Sequence, residues 1–513
     1  MTKLLSTLRD WWKSLLAPEP VSVSTEPDDE LVKVNVIRIL MGITLVLRYF
    51  PVSRESWYVF DPSTEMGLIV FCHVMLALAL CFLFGFLTPI AGLGLIALSR
   101  HFDLTARAAT LGTTVGILVI FALLFSGAGQ RLSIDGYLWR RFRQNGLGSL
   151  IRLPYRIFGR PDRRQQRTGY LIAFGVYSAV SFGAAQWHFL DPIWVEGRTM
   201  EIGFQNSYLC QWWPFFRWLD NTRPEVLTLL SLSITIFQSA WEVFMFPFIF
   251  FRHLKWFTVV FGAAFYFMSE FALMLSSLPR SEACLYLLVF APAAWFVRSG
   301  RWFSGRIPFL SRREGTAAEV EPLAPPRGAW FHRSVVSILI CLTVVLIATQ
   351  PWFTGLVGGD ANAKKLERPL SYLGFLTPRV YTETVLGMGE RWPVIYRLDP
   401  ETGKRSQVPL NDKYGGRLEY ERNDLIFYGR TLVMRKYAFG EPSEFFQTGK
   451  GGEILRDVCR YDARRRGLKD GARYQIEIWE IEGLNDKLST RQRFAREKVL
   501  DYNLEIPPSS EGE

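Results

Sequence analysis

Residues 66–85 read MGLIVFCHVMLALALCFLFG, a stretch of 20 positions without an acidic or basic side chain other than His73. A helix needs about 20 mostly apolar residues to cross the hydrocarbon core of a bilayer, so this stretch predicts a membrane span. Similar stretches precede and follow it. The predicted spans are 34–51, 66–85, 86–100, 106–126, 168–188, 225–250, 255–275, 280–298 and 333–351. The predicted fold class is an all-α multi-span membrane bundle of about nine transmembrane helices, followed by a small α+β domain.

The composition agrees with a membrane protein. Of 513 residues, 49% are hydrophobic, and the 17 Trp and 40 Phe exceed what ordinary soluble domains carry. The net charge of +11 could indicate a nucleic-acid partner. The arginines, however, lie in short loops beside apolar stretches, where the positive-inside rule and contact with anionic lipid explain them. We therefore predict the lipid bilayer as a partner and no nucleic acid.

The basic loops predict an orientation. Residues 131–167 carry ten arginines, and further basic groups lie at 252–255 and 298–333. With the N-terminus in the cytoplasm, all three segments fall on the cytoplasmic side. An odd number of spans then places residues 352–513 outside. We expect a multi-pass protein of the inner (plasma) membrane with an extracytoplasmic C-terminal domain.

Three regions follow from this reading. Residues 1–33 comprise an amphipathic helix on the cytoplasmic leaflet, predicted for residues 1–16, and an acidic linker. Residues 34–351 form the transmembrane domain, and 352–513 form the α+β domain.

The polar tail has its own pattern of elements. Trp392–Leu398 and Ser406–Leu410, joined by a Pro- and Gly-containing turn, predict a β-hairpin. Glu453–Arg466 predicts a short amphipathic helix, and the alternation in Tyr474–Ile481 predicts a strand. The tail shows no metal-ligand spacing, nucleotide-binding loop or nucleophile motif.

Ionisable residues within apolar spans are costly and commonly mark functional sites. Arg38 in the first span and Glu242 in the sixth are expected at similar depth in the inner half of the bundle. We expect them to pair. Such a pair either fixes helix packing or binds and polarises a ligand.

The loop 189–224 combines many aromatic residues, including Trp194, with polar groups, a composition typical of the membrane–water interface. His188 and Glu196 are expected at its outer mouth. A histidine near a carboxylate can act as a base, so these two are the candidate catalytic residues. The alternative is that they are ordinary interfacial polar side chains.

Two cysteines fall in polar segments that the topology places outside the cytoplasm, Cys210 and Cys459. They are candidates for a disulfide in an oxidising compartment, and two separate free thiols are the alternative.

Several strings together resemble the horizontally transferred transmembrane (HTTM) family, which includes vitamin K-dependent gamma-carboxylase. Val36–Gly42 resembles its R-x-x-x-G signature, and Ser133–Gly136 resembles its S-[LV]-D-G element. Trp194–Glu201 is similar to the carboxylase string W-V-E-G-x-x-M-E, and Glu242 falls where the family has an acidic residue.

The resemblance implies a helix bundle with a cavity that opens outward and holds a quinone. It implies ligand-binding or structural roles for these residues: Arg38, Glu242, Trp194, Gly197, Asp135 and Tyr266. The sequence departs from the carboxylase at two places. His188 and Phe189 occupy the positions of its lysine pair, and Tyr266 that of a histidine. The resemblance therefore supports the fold and topology, and not glutamate carboxylation.

Two functions remain as hypotheses. One is a quinone- or lipid-binding membrane enzyme that uses His188 and Glu196 for proton transfer. The other is a non-catalytic membrane component that acts in maturation or export of a protein partner bound by residues 352–513. A transporter would show discontinuous paired helices or an internal repeat, and neither is evident.

Overall fold

The computed structural model describes residues 23–24, 26–105, 111–142, 144, 146–159, 161–275, 277–304, 329–372, 391–421, 441–468, 471–481 and 496–507. The predicted amphipathic helix at 1–16 lies outside the described residues, and so does most of the basic segment 298–333.

Sixteen helices precede the C-terminal domain in the described part of the chain. They are α1 (Pro27–Val59), α2 (Met66–Phe84), α3 (Thr88–Thr105), α4 (Leu111–Phe125), α5 (Ile134–Phe142), α6 (Gly146–Arg152), α7 (Arg163–Leu190), α8 (Pro192–Val195), α9 (Thr199–Gln205), α10 (Trp213–Thr222), α11 (Pro224–Phe248), α12 (Leu254–Phe271), α13 (Leu278–Phe290), α14 (Ala293–Ser304), α15 (Ala329–Ala348) and α16 (Asp360–Tyr372). The predicted apolar stretches coincide largely with helices of this set, and residues 106–110 of the fourth predicted span lie outside the described residues. Their buried side chains form one large apolar core. It includes side chains from α1, α2, α3, α4, α7, α11, α12 and α13.

Three of these helices, α2, α7 and α11, are long and apolar enough to cross a membrane. The number rises to five if two bent pairs each count as one span. The count applies to the described residues. The molecule therefore has the character of a membrane protein, with several candidate spanning helices beside a small sheet domain.

The predicted span 280–298 is not a continuous helix. The axes of α13 and α14 differ by 106° across a short break at Ala291 and Pro292. Proline has no N–H to donate within a helix, and its ring disfavours helical backbone in the residue before it, so a break at this point is expected. Ala291 is indeed extended, with φ −75° and ψ 130°. α15 ends in a similar bend of 107° before a short 3₁₀ helix, Pro351–Val357.

The aromatic loop after α7 folds into α8, α9 and α10 and forms its own apolar cluster. Trp194, Met200, Phe204 and Phe216 are buried together there, against Leu227 at the beginning of α11. The rings of Phe204 and Phe216 stack with centroids 4.4 Å apart. The segment therefore packs along the first half of α11 and is part of the folded bundle.

The C-terminal domain is a four-stranded antiparallel sheet with one helix against it. Its elements are β1 (Arg391–Leu398), β2 (Arg405–Gln407), α17 (Lys450–Arg465), β3 (Ala472–Ile481) and β4 (Arg496–Ile506), and the sheet order is β2-β1-β3-β4. The predicted hairpin, helix and strand are each confirmed, with boundaries shifted by a few residues. Ile454, Leu455 and Val458 of α17 pack on Ile476 and Ile478 of β3.

A fully buried carboxylate organises this domain. Asp462 of α17 accepts hydrogen bonds from the hydroxyls of Tyr420 at 2.7 Å and Tyr474 at 3.1 Å. Arg397 and Arg466 contribute ionic hydrogen bonds at 3.3 and 3.0 Å. Burial and the nearby Asp462 charge raise the pKa of Tyr420 and Tyr474, which keeps both phenols protonated as donors. Arg397 and Tyr474 thereby tie α17 to β1 and β3, and Tyr420 ties it to the segment after β2.

The domain also contacts the helical bundle. The Tyr461 hydroxyl donates to Glu55 near the end of α1, and Arg464 donates to the carbonyl of Phe60 at 3.3 Å. Arg417 donates to the carbonyl of Tyr208 at 3.0 Å. The C-terminal domain therefore lies against one end of the bundle. The end of α1 and the segment that follows α7 form that end.

Replacing Asp462 with Asn should destabilise the C-terminal domain by about 3 kcal/mol, because two buried phenols and two partly exposed arginines lose their shared, fully buried anionic acceptor. Amide hydrogen exchange of α17 and β3 in the full chain measures the effect. Asp501→Asn is the matched control, since Asp501 forms a partly exposed pair with Lys498 at 2.7 Å and should contribute less than about 1 kcal/mol. Equal exchange in both variants would contradict the role of Asp462.

Candidate functional site

The candidate site is centred on a buried histidine–carboxylate pair. His188, near the end of α7, is 1% exposed, and its Nδ1 lies 2.9 Å from Oε2 of Glu242 on α11. Gln238, one turn before Glu242, donates through Nε2 to the other carboxylate oxygen at 3.1 Å. A carboxylate at Nδ1 fixes the orientation of the imidazole and stabilises its protonated form.

Trp194 covers the imidazole. The two rings are nearly parallel, with an interplanar angle of 11° and centroids 3.6 Å apart. Trp194 is on α8, and Asp191 caps the N-terminus of this helix. The Asp191 carboxylate accepts the backbone N–H of Ile193 at 3.0 Å. The cap turns the chain directly after α7, and this turn brings Trp194 back over His188.

Gly197 allows the same segment to approach α11 closely. Its φ is +71°, and a Cβ at this position would lie 2.7 Å from Leu232 Cδ1. Its carbonyl accepts a hydrogen bond from the Ser231 hydroxyl at 2.6 Å, and the same hydroxyl accepts the Glu201 N–H at 2.9 Å. Residues 197–201 are thus joined to α11 by hydrogen bonds through Ser231.

α11 presents a continuous polar stripe to this segment. Ser231, Thr235, Gln238 and Glu242 recur every three or four residues, the spacing of one helix face, and each is 6% exposed or less. The opposite face carries exposed apolar side chains such as Leu229 and Ile236. The helix is therefore amphipathic, with its polar side facing the protein interior.

Two atoms of this stripe, Thr235 Oγ1 and Gln238 Oε1, have no hydrogen-bond partner among the described residues. On α9, Thr199 Oγ1 and both amide atoms of Gln205 have none there either. Buried polar groups are nearly always satisfied in folded proteins, by protein groups, water or a ligand. The open Gln238 oxygen lies next to the histidine–carboxylate pair, since the same amide donates to Glu242, and it suits a ligand with a polar head.

The structure places the two candidate catalytic residues, His188 and Glu196, in different surroundings. Glu196 ends α8 with an exposed side chain, and its carboxylate makes no hydrogen bond or ion pair within the described chain. The carboxylate that orients His188 comes from Glu242. The loop sequence could not show this partner, because Glu242 is 54 residues farther along the chain.

The expected Arg38–Glu242 pair is not formed. Arg38 is fully buried, but its guanidinium donates to the carbonyls of Phe82 at 2.9 Å, Leu83 at 3.2 Å and Leu132 at 2.6 Å. Phe82 and Leu83 end α2, where carbonyls without helical partners favour a cation. Arg38 therefore stabilises the turn after α2, away from the ligand site.

Asp135 acts on the other side of the same turn. Its carboxylate accepts the N–H groups of Leu87 at 2.8 Å and Thr88 at 2.9 Å, where α3 begins, and the Tyr155 hydroxyl at 2.6 Å. Gly85 within the turn has φ +70°, and a Cβ there would lie 2.3 Å from Arg38 Nη1. The R-x-x-x-G and S-x-D-G strings thus meet at one structural turn, with a cation on the end of α2 and an anion on the start of α3.

Tyr266 belongs to an aromatic layer near the site. Its ring packs edge-on against Tyr286 with centroids 4.8 Å apart, and the Tyr286 hydroxyl accepts Trp241 Nε1 at 3.1 Å. In the same layer the buried Glu282 accepts the Tyr177 hydroxyl at 2.6 Å. Tyr266 therefore contacts α11 indirectly. Tyr286 lies between Tyr266 and Trp241, the residue of α11 that precedes Glu242.

Cys210 and Cys459 are free thiols in two separate apolar clusters, so the candidate disulfide is not formed. Cys210 packs in the cluster of α8 to α10, and Cys459 lies under the sheet of the C-terminal domain. Burial and the neighbouring Asp462 raise the pKa of the Cys459 thiol well above its usual range, which disfavours the reactive thiolate.

The structure also shows a buried ion pair that the sequence reading did not pair. Arg48 pairs with Asp103 at 2.5 Å and donates to Thr113 between α1, α3 and α4. The polar stripe of α11 was also missed, although its three- and four-residue spacing was available in the sequence. A search for polar residues at helical spacing within apolar spans would have found Thr235 and Gln238.

Comparison with models of known protein families gives no match, and comparisons with curated proteins and with solved structures give none either.

Replacing Arg38 with Lys should lower stability by about 2–3 kcal/mol, because a single ammonium cannot reproduce the guanidinium contacts to three carbonyls. Thermal unfolding in detergent checks this. Arg131→Lys is the control, since Arg131 forms a surface pair with Asp28 at 2.8 Å and should show little change. An unchanged midpoint for Arg38→Lys would show that the turn does not depend on the guanidinium.

Cys210 and Cys459 should both react with a maleimide after denaturation without reductant, because neither is oxidised. Mass spectrometry of the alkylated peptides measures this. In the native protein Cys459 should react slowly, since it is 0% exposed. Recovery of a peptide pair joined through these two cysteines would overturn the assignment.

Proposed function

We propose that the chain is an HTTM-type integral membrane protein whose bundle binds a quinone beside His188, Glu242 and Trp194. In this proposal His188 exchanges a proton with a quinol oxygen, and Glu242 stabilises the imidazolium. The observation that carries the proposal is the buried His188–Glu242 pair stacked on Trp194, next to open hydrogen-bonding atoms.

The chemistry of this site suits a quinone better than an ordinary phospholipid. A quinone head is planar and carries oxygens on opposite sides of its ring. The stacked His188 and Trp194 rings are planar, and Gln238 supplies an open amide oxygen next to Glu242. An imidazole can both accept and donate a proton, and the adjacent Glu242 carboxylate stabilises its charged form. The exposed apolar face of α11 would allow an isoprenoid tail to extend from the site into the surrounding lipid.

The motif positions support the family assignment within this proposal. Trp194 and Gly197 of the W-V-E-G string line or shape the site. Arg38 and Asp135, from the other two strings, fix one turn of the scaffold. His188 stands where the carboxylase has a lysine pair, and an imidazole can act as a base in its place. We therefore propose a carboxylase-like scaffold with different proton chemistry.

The topology is part of the proposal. Nine membrane-spanning helices with the N-terminus in the cytoplasm would leave the arginine-rich segment 131–167 inside and the C-terminal domain outside. Contacts of the C-terminal domain with Glu55, Phe60 and Tyr208 support this, because they lie at one end of the bundle. We propose the inner (plasma) membrane as its location.

The test is to purify the chain from membranes in mild detergent and to quantify quinone per protein by mass spectrometry, followed by titration with a quinone analogue. His188→Ala and Glu242→Gln should each weaken binding by about tenfold or more, since each removes a buried charge-assisted hydrogen bond. Glu196→Gln is the matched control and should bind like the unaltered protein, because Glu196 is exposed.

Thermal unfolding of each variant separates lost binding from lost folding. Equal quinone content in all variants, with folding intact, would refute the His188 site. The protein-partner alternative would then be favoured, and it predicts that substitutions on the surface of residues 391–507 abolish function instead.

A further inference from the structure

A long groove separates α15 from α7 on the far side from His188. Its volume is about 450 Å³, within the range of sites that hold a small organic ligand. The wall follows α7 from Thr168 to Phe182 and α15 from Val336 to Ile347. The α7 wall is about 21 Å long at 1.5 Å per residue. The groove is therefore elongated and suits a chain-like ligand.

The wall offers almost no polar contact. The Thr168 and Thr343 hydroxyls both donate to carbonyls one turn earlier in their own helices, at 2.7 Å. The remaining side chains are aliphatic or aromatic except Ser178. Ile340 and Val344 are more than half exposed, so the groove opens sideways. A hydrocarbon chain entering from the bilayer would meet matching surface along its whole length.

One end of the groove is basic. Arg164 is on the same face of α7 as Thr168, one turn earlier, and Arg333 is one turn before Val336 on α15. Trp352, just after α15, donates its backbone N–H to Gln186 near the end of α7 at 2.9 Å. The two helices thus run in the same direction. The groove lining begins at Thr168 on α7 and at Val336 on α15, so Arg164, Arg167 and Arg333 precede it at the same end.

These arginines have no carboxylate partner within the described chain. Arg164, Arg167 and Arg333 form no salt bridge there, and Arg164 and Arg333 are exposed. By contrast, Arg163 next to them donates to the Val23 carbonyl at 3.0 Å. Three guanidinium groups at one end of an apolar groove match the charge of a phosphate headgroup.

We propose that this groove is a binding site for an anionic phospholipid, with one acyl chain between α7 and α15 and the phosphate at Arg164, Arg167 and Arg333. The site rests on the membrane embedding proposed above and not on the quinone. His188 is six residues from Phe182, about 240° around α7, so the two sites face different sides of the helix.

The test uses the full chain in detergent or nanodiscs, titrated with phosphatidylglycerol and phosphatidylcholine of equal acyl chains and monitored by native mass spectrometry. Phosphatidylglycerol should bind preferentially. Each single Arg164→Gln or Arg333→Gln change should weaken its binding about fivefold. Arg252→Gln, in the other basic turn, is the charge-matched control and should have no effect.

Thr343→Phe fills the groove and should displace the bound lipid, whereas Ile338→Phe on the other side of α15 should not. Equal losses in Arg164→Gln and Arg252→Gln, or retention in Thr343→Phe, would overturn the proposal. Full competition by inorganic phosphate would show an anion site without a chain site and would also overturn it. Loss of quinone instead of phospholipid in Thr343→Phe would assign the groove to the quinone tail. Quinone binding in His188→Ala, measured separately, distinguishes failure of the two proposals.

Discussion

Buried hydrogen-bonding groups in this bundle must find partners within the protein, and the architecture follows from how they do so. The cost of leaving such a group unsatisfied is several kcal/mol in an apolar surrounding. Arg38 donates to three carbonyls, Arg48 pairs with Asp103, and His188 pairs with Glu242. Each contact joins residues of different helices. Because the apolar surfaces of the helices are similar to one another, these polar contacts help to specify which helices become neighbours.

The same constraint acts at two separate places in the bundle. At the turn between α2 and α3, Arg38 and Asp135 bind the free ends of two helices. On α11, Glu242 is bound by His188 and Gln238. Each place retains a buried atom without a partner in the described chain, Arg38 Nε and Gln238 Oε1. The first place joins a side chain to the backbone of a turn, and the second joins side chains of α7 and α11.

The C-terminal domain and the bundle contact each other through specific polar groups. Tyr461 and Arg464 of α17 reach Glu55 and Phe60 at the end of α1. Arg417 donates to the carbonyl of Tyr208, which lies just after α9. Trp194 and Gly197 precede α9 in the same segment. The segment that follows α7 and the C-terminal domain are therefore in direct contact.

The sequence by itself determined the helical bundle and the hairpin, helix and strand of the tail, because apolar length, turn residues and alternation are local signals. It also singled out His188, Glu242 and Trp194 as candidate site residues. Only the tertiary structure decided that His188 pairs with Glu242, that Arg38 binds a turn, and that Cys210 and Cys459 are apart. Those pairings depend on how helices far apart in sequence meet, and hydrophobic periodicity specifies a buried face without specifying its neighbour.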